Sequence, residues 1–115
     1  MTVKRFEDLL VWQKSQDLAV IIYGHFSGLK DFGFRDQITR ASVSISNNIA
    51  EGFERQSNAD FKRFLYFALA SNSEVRSMLY LSDRLNYLDK GKTMELVEHT
   101  NEVSKMLYAF IKSMK

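Results

Sequence analysis

Not one proline interrupts the 115 residues of this chain, and glycine occurs only five times. Those two residues supply the turns a many-stranded sheet needs, so a chain poor in both and rich in Leu, Ala, Glu, Lys and Met is confined to long helices. The length is enough for one domain with a proper core and too short for two of typical size, so a single domain over residues 1–115 is expected. With no cysteine, disulfides and thiolate metal sites are excluded, and a cytoplasmic location is the expectation. The opening MTVKRFEDLLVWQKSQD meets charge too early for a signal peptide, and no apolar run approaches the roughly 20 residues of a membrane span. No membrane partner is expected. The net charge of +2, with both signs interspersed, makes no compositional case for nucleic acid and leaves only a local patch open.

Apolar periodicity divides the chain into four helices. Asp8, Trp12, Ser15, Ala19, Ile22 and Phe26 fall on one stripe of a helix over about 7–25, which ends at the glycines of SGLKDFGF. A second helix over about 34–54 turns Ile38, Ala41, Ile45, Ile49 and Gly52 inward. Ser57 is placed to cap a third helix at the amide of Asp60, and Asp60 suits the positive end of that helix. Its seam reads Phe61, Phe64, Ala68, Ser71, Val75, Met78, Ser82 and Leu85. A fourth helix after Asp89 carries Leu96, Thr100, Val103, Leu107, Phe110 and Met114 inward. Short connections between four helices imply an all-α, antiparallel up-down-up-down four-helix bundle.

The third helix holds more apolar surface than one seam uses. Phe67, Ala70, Glu74, Leu81 and Leu88 make a second stripe, roughly 100° around by the helical period. A helix in a bundle touches two neighbours and absorbs part of this excess. With Tyr66, Leu69 and Tyr80 as exposed candidates on a further side, the balance favours a homo-oligomer.

The stretch RASVSISNNIAEGFER orders its polar residues as well. Arg40, Ser44, Asn48, Glu51 and Arg55 follow steps of four, four, three and four, so they stack on one side of the second helix. Ser and Asn compete for the helix backbone, so their use here points to compensating tertiary contacts. The short turn before residue 58 makes helices two and three a hairpin in which facing residue numbers sum to about 113 by equal rise. That places Arg40 opposite Glu74 and Ser44 opposite Ser71 or Ala70, and predicts an Arg40–Glu74 ion pair flanked by serine hydrogen bonds. The competing reading, a ligand or catalytic site of Asn48, Glu51 and Arg55, lacks a nucleophile or oxyanion arrangement. Gly52 either ends the helix or lets a neighbour approach closely; the pattern continuing through Phe53 to Arg55 favours close approach.

These residues carry a family resemblance. FEDLLVWQKSQDLA, DQITRASVSISNNIAEGFERQS and FKRFLYFALASNSEVRSML are similar to the successive signatures of the four-helix bundle family that includes proteins encoded in intervening sequences of bacterial 23S rRNA genes. The run Asn48 to Gly52, together with Trp12 and Arg40, is the most specific part. The family usually has proline where Ser46 stands and glycine where Ala70 stands, so straighter second and third helices are expected. The resemblance implies a ring, most often a pentamer, and no established enzyme activity; neither enzyme activity nor a cofactor is expected. It is also distantly similar to accessory proteins of diversity-generating retroelements, which bind a reverse transcriptase and nucleic acid, a likeness of fold.

A direct search for chemistry finds little. His25 and His99 have no second histidine at ligand spacing, and Glu95, Glu98, His99 and Glu102 read as a solvated helix face. No phosphate-cradling loop, nucleophile elbow or dinucleotide fingerprint is present. For nucleic acid, Lys62, Arg63 and Arg76 lie on the third helix, Lys105, Lys112 and Lys115 on the fourth, and Lys4 and Arg5 before the first. Each alone is an ordinary solubilising charge. A ring would repeat Lys62, Arg63, Lys105 and Lys112 into a multivalent backbone-binding surface, and Tyr66, Tyr80 and Tyr108 could stack on bases or sit half-buried. Two readings follow: a ring-forming assembly protein with an RNA or ribonucleoprotein partner, or a self-assembling adaptor for a protein partner.

Overall fold

The computed structural model describes residues 3–114. A single 3-10 turn (Phe6–Asp8) leads into α1 (Leu10–Phe26), followed by α2 (Phe32–Phe53), α3 (Asn58–Arg84) and α4 (Lys90–Ser113). Each helix packs on its chain neighbours and α1 closes against α4, giving a four-helix bundle of 43 × 22 × 20 Å. Its long axis matches α3, whose 27 residues span about 40 Å at the helical rise.

Local signals place three of the helix starts. Ser57 Oγ accepts the Asp60 amide at 3.1 Å, Asp89 Oδ1 accepts that of Lys92 at 2.7 Å, and Asp31 Oδ1 accepts that of Phe34 at 3.2 Å. The first helix begins later than its periodicity suggested, because residues 6–8 wind as the 3-10 turn and Leu9 is extended. Val11, Ser15, Leu18, Ile22 and Phe26 form its buried stripe, while Asp8 is exposed and Trp12, half-buried, packs against Phe6 with ring centroids 5.4 Å apart. In α2 the inward residues Ile38, Ala41, Ile45, Ile49 and Gly52 are all buried.

The second buried stripe of α3 lies on the opposite side of the seam from the expected one. Leu65, Leu69, Asn72 and Leu79 are buried towards α4, whereas Phe67, Ala70, Glu74 and Leu81 are exposed. Leu69, expected outside, is only 6% exposed. Both stripes are apolar enough to serve, and the choice depends on which side of the α2–α3 hairpin α4 returns. Asn72 settles the register there: its Nδ2 donates to Thr100 O and Ser104 Oγ, both at 2.8 Å, leaving Oδ1 without a partner among the described residues.

Two residues explain how closely helices meet. A Cβ on Gly52 would lie 2.6 Å from Phe64 Cβ and 2.9 Å from Phe61 Cδ1, so only glycine lets α2 and α3 approach as they do. Ser46, buried, accepts a hydrogen bond from Gln16 Nε2 at 3.0 Å and so ties α1 to α2. Ala70 is exposed, so its methyl meets no packed neighbour at that seam.

Candidate interaction surfaces

The ordered polar stripe of α2 lies at the surface, along the outer edge of the α2–α3 seam. Arg40, Glu51 and Arg55 are exposed; Ser44 and Asn48 are half-buried. Asn48 Nδ2 donates to Ser44 O at 2.8 Å and to Ser44 Oγ at 3.1 Å, and Ser71 Oγ donates across the seam to Ser44 Oγ at 3.1 Å. Above them, Arg40 and Glu74 line one open groove with Gln37, but the expected ion pair does not form. Gln37 Nε2 donates to Glu74 Oε2 at 3.1 Å instead. The exchange costs little, since two solvated charges gain almost nothing by pairing. Glu51 and Arg55 line one open surface with Phe6 and Glu54, but among the described residues Arg55 pairs elsewhere: it reaches over the turn, with its guanidinium 4.7 Å from the Phe64 ring centre and 3.9 Å from Asp60.

Beside this stripe runs the displaced apolar stripe of α3. Phe67 is 43% exposed, Leu81 45% and Leu85 44%, with Ala70 between. The α2–α3 outer face therefore combines a line of large apolar side chains with a row of short, mutually bonded polar groups and nearly balanced charge.

The cations expected to act together divide between two faces. Arg63 turns to the α2 side: its Nε and Nη2 donate to Asp60 Oδ1 at 3.2 and 3.0 Å, and its guanidinium lies 5.3 Å from the Phe64 ring centre and 5.6 Å from that of Phe67. Lys62 is on the α4 side, as are Lys105 and Lys112 on α4, and among the described residues none of the three is ion-paired. Lys115 lies outside the described residues, and Lys4 is exposed ahead of the 3-10 turn.

The acidic surface of α4 offers no assembled chemistry. Glu95 pairs with Lys92 at 3.0 Å, Glu98 accepts from Asn101 at 3.3 Å, and Glu102 pairs with Lys14 of α1 at 2.9 Å. The bond from Lys14 holds the Glu102 carboxyl below its ordinary range and in turn raises the Lys14 ammonium. Among the described residues no group of three or more His, Asp and Glu could hold a metal ion, and no helix is long and apolar enough to cross a membrane. One polar clasp had no signal in periodicity: the Tyr87 hydroxyl donates to Asp31 Oδ2 at 2.7 Å, joining the two loops at one end of the bundle. That bond, with the Phe34 amide second, lowers the Asp31 carboxyl.

Comparison with known proteins agrees with this architecture. The family model described as 23S rRNA-intervening sequence protein matches residues 7–109. The crystal structure of a protein with unknown function from the S23 ribosomal protein family of Bacteroides thetaiotaomicron superposes with a TM-score of 0.84 at 32% identity, covering 90% of this chain and 100% of that one. No curated protein matches.

Proposed function

The chain belongs to the family of 23S rRNA-intervening sequence proteins, and from that premise we propose that it is a non-enzymatic assembly protein whose copies join through the α2–α3 outer face and accompany an RNA or ribonucleoprotein partner. The observation that carries the reading is the exposed row Phe67, Leu81 and Leu85 beside the ordered stripe Arg40, Ser44, Asn48, Glu51 and Arg55. Large exposed apolar side chains rimmed by polar groups are the usual make-up of an interface between proteins. Ser71 and Glu74, at the seam between the two rows, would set the register of the contact.

A ring requires that this face meet a different surface of the next copy. The outer surface of α1 offers Leu10 and Val20, which are exposed. The resemblance noted above makes a pentamer the expected closure. The partners are thus further copies of the chain and an RNA or ribonucleoprotein, with no cofactor.

The test is the solution mass of the chain and of a Phe67→Glu, Leu81→Glu double variant, read by light scattering at micromolar concentration. The expected result is a whole multiple of the 13.4 kDa chain mass for the natural sequence and the single-chain mass for the variant, with helical content unchanged. A natural chain that scatters as a monomer would refute self-assembly.

A further inference from the structure

We propose that the outer face shared by α3 and α4 binds single-stranded nucleic acid, with Lys62, Lys105 and Lys112 taking phosphates and Tyr66 and Tyr108 stacking on unpaired bases. This rests on the accessory-protein reading above and gives it a surface.

The placement follows from one bond and two periods. Arg76 Nη1 donates to Asn101 Oδ1 at 3.1 Å, which fixes where the outer edges of α3 and α4 touch. Counting back from Arg76 by threes and fours along α3 reaches Tyr66 and Lys62 on the same edge; counting forward from Asn101 along α4 reaches Lys105, Tyr108 and Lys112. Because the helices run antiparallel, the two sets lie beside each other at one end of the bundle, where Phe61 of α3 meets Phe110 of α4 with ring centroids 5.3 Å apart.

Charge and exposure give the face its chemistry. Tyr66 is 52% and Tyr108 59% exposed, too wet for core residues; Tyr66 follows Lys62 by one turn, and Tyr108 lies between Lys105 and Lys112. The acidic residues within Asn101–Lys112 and Lys62–Arg76 are Glu102 and Glu74. Glu74 is bonded by Gln37 of α2, and Glu102 lines an open groove with Glu95, Glu98 and Lys105, so Lys105 sits at the margin of the acidic surface of α4 while Lys62 and Lys112 lie beyond that groove. Glu98 lies one turn further on, bonded to Asn101, and Glu102 is drawn to the α1 side by Lys14. Lysines with no ion pair among the described residues complement a polyanion, and the exposed aromatic rings beside them favour one whose bases are free to stack. A protein partner with an acidic surface would use the lysines and leave the tyrosines idle. Arg63 takes no part, since it is held on the other side of α3 by Asp60.

The experiment is a fluorescence-anisotropy titration of the full chain against labelled oligouridylate, oligodeoxythymidylate and duplex RNA at several salt concentrations, with light scattering on the same samples. Oligouridylate is expected to bind better than the duplex, with log affinity falling against log salt at a slope of about −2 per engaged subunit, as three phosphate contacts imply. The ratio of oligouridylate to oligodeoxythymidylate affinity tells an RNA surface from a DNA one. Lys105→Glu with Lys112→Glu should weaken binding at least about tenfold, and Tyr108→Ala roughly tenfold by loss of stacking. Arg63→Ala should leave binding within about twofold. Should the charge-reversed protein lose helix, Lys105→Gln with Lys112→Gln takes its place. Absence of binding at low salt, full binding by the lysine variants, or indifference to Tyr108→Ala would each overturn the proposal. Assembled protein that ignores oligouridylate refutes this surface alone, whereas single-chain protein that still binds refutes the assembly alone.

Discussion

The two outer edges of α3 are built from the same helix yet differ in kind. Towards α2 the exposed residues are Phe67, Ala70, Glu74 and Leu81, alongside short polar side chains that bond one another; towards α4 they are Tyr66 and, further along, Tyr80, with Tyr66 and half-buried Lys62 at the end of the bundle that carries Lys105, Tyr108 and Lys112. The first edge has balanced charge and wants to leave water. The second is wet, basic and aromatic. A long helix in a bundle has two seams, and each seam has its own outer edge, so one helix can serve two partners without competition between them.

The packing beneath the two edges differs too, and substitutions can separate them. The largest effect is expected for Gly52→Ala. The added Cβ falls 2.6 Å from Phe64 Cβ, so the α2–α3 seam must open, at a cost of about 1–3 kcal/mol in stability measured by denaturant unfolding. Assembly should weaken with it, while the α3–α4 edge keeps its lysines in place. Asn72→Ala probes the other seam. It removes the two bonds to Thr100 and Ser104, and about 1 kcal/mol should be lost, moderated because the unpartnered Oδ1 leaves as well. Binding of oligouridylate should fall more than self-association does.

Smaller effects test the surface chemistry. Arg40→Ala is expected to change unfolding stability by no more than about 0.5 kcal/mol, because the bond to Glu74 comes from Gln37 rather than from Arg40. A mass measurement on the same variant reads whether Arg40 serves the contact between copies. The smallest effect is the pH dependence of the Lys14–Glu102 pair, which closes α1 on α4. The Glu102 pKa is lowered from 4.5, so its contribution is present above that value and is lost as pH falls through the lowered one. The Lys14 pKa is raised from 10.5, so its contribution is present below that value and is lost as pH climbs through the raised one. Carboxyl chemical shifts should show Glu102 titrating later on acidification than an ordinary glutamate, and Lys14→Met should return it towards 4.5.

Much of the fold is legible in the chain because its signals are local. The absence of proline, the cap at Ser57, the start after Asp89 and the inward stripe of α2 each depend on residues within a turn or two of each other. The contact of Ser44 with Ser71 follows from a short connection and a fixed rise. What periodicity does not encode is the side on which α4 returns. The helix carrying Phe67 and Leu81 on one flank and Leu65, Leu69 and Leu79 on the other satisfies either choice by count of apolar residues. Only the neighbour decides which flank is buried, and Asn72, whose polarity argues against burial, is buried because Thr100 and Ser104 receive it. The same ambiguity hid the basic edge. Lys62 and Arg63 are adjacent in sequence and point to opposite flanks, so a cluster read from sequence joined a residue that belongs to the other face. The Asp31–Tyr87 clasp spans 56 positions, beyond any periodic signal.

The central claim is that the two edges of α3 work at once. Sedimentation velocity with labelled oligouridylate and the unlabelled natural chain reads this directly, since only species carrying the nucleic acid are seen. The label is expected to travel with a particle several chain masses in size, and to travel with a single chain when Phe67→Glu and Leu81→Glu are present. Label that sediments with single chains of the natural sequence, or that stays at the rate of free oligouridylate, would contradict the account.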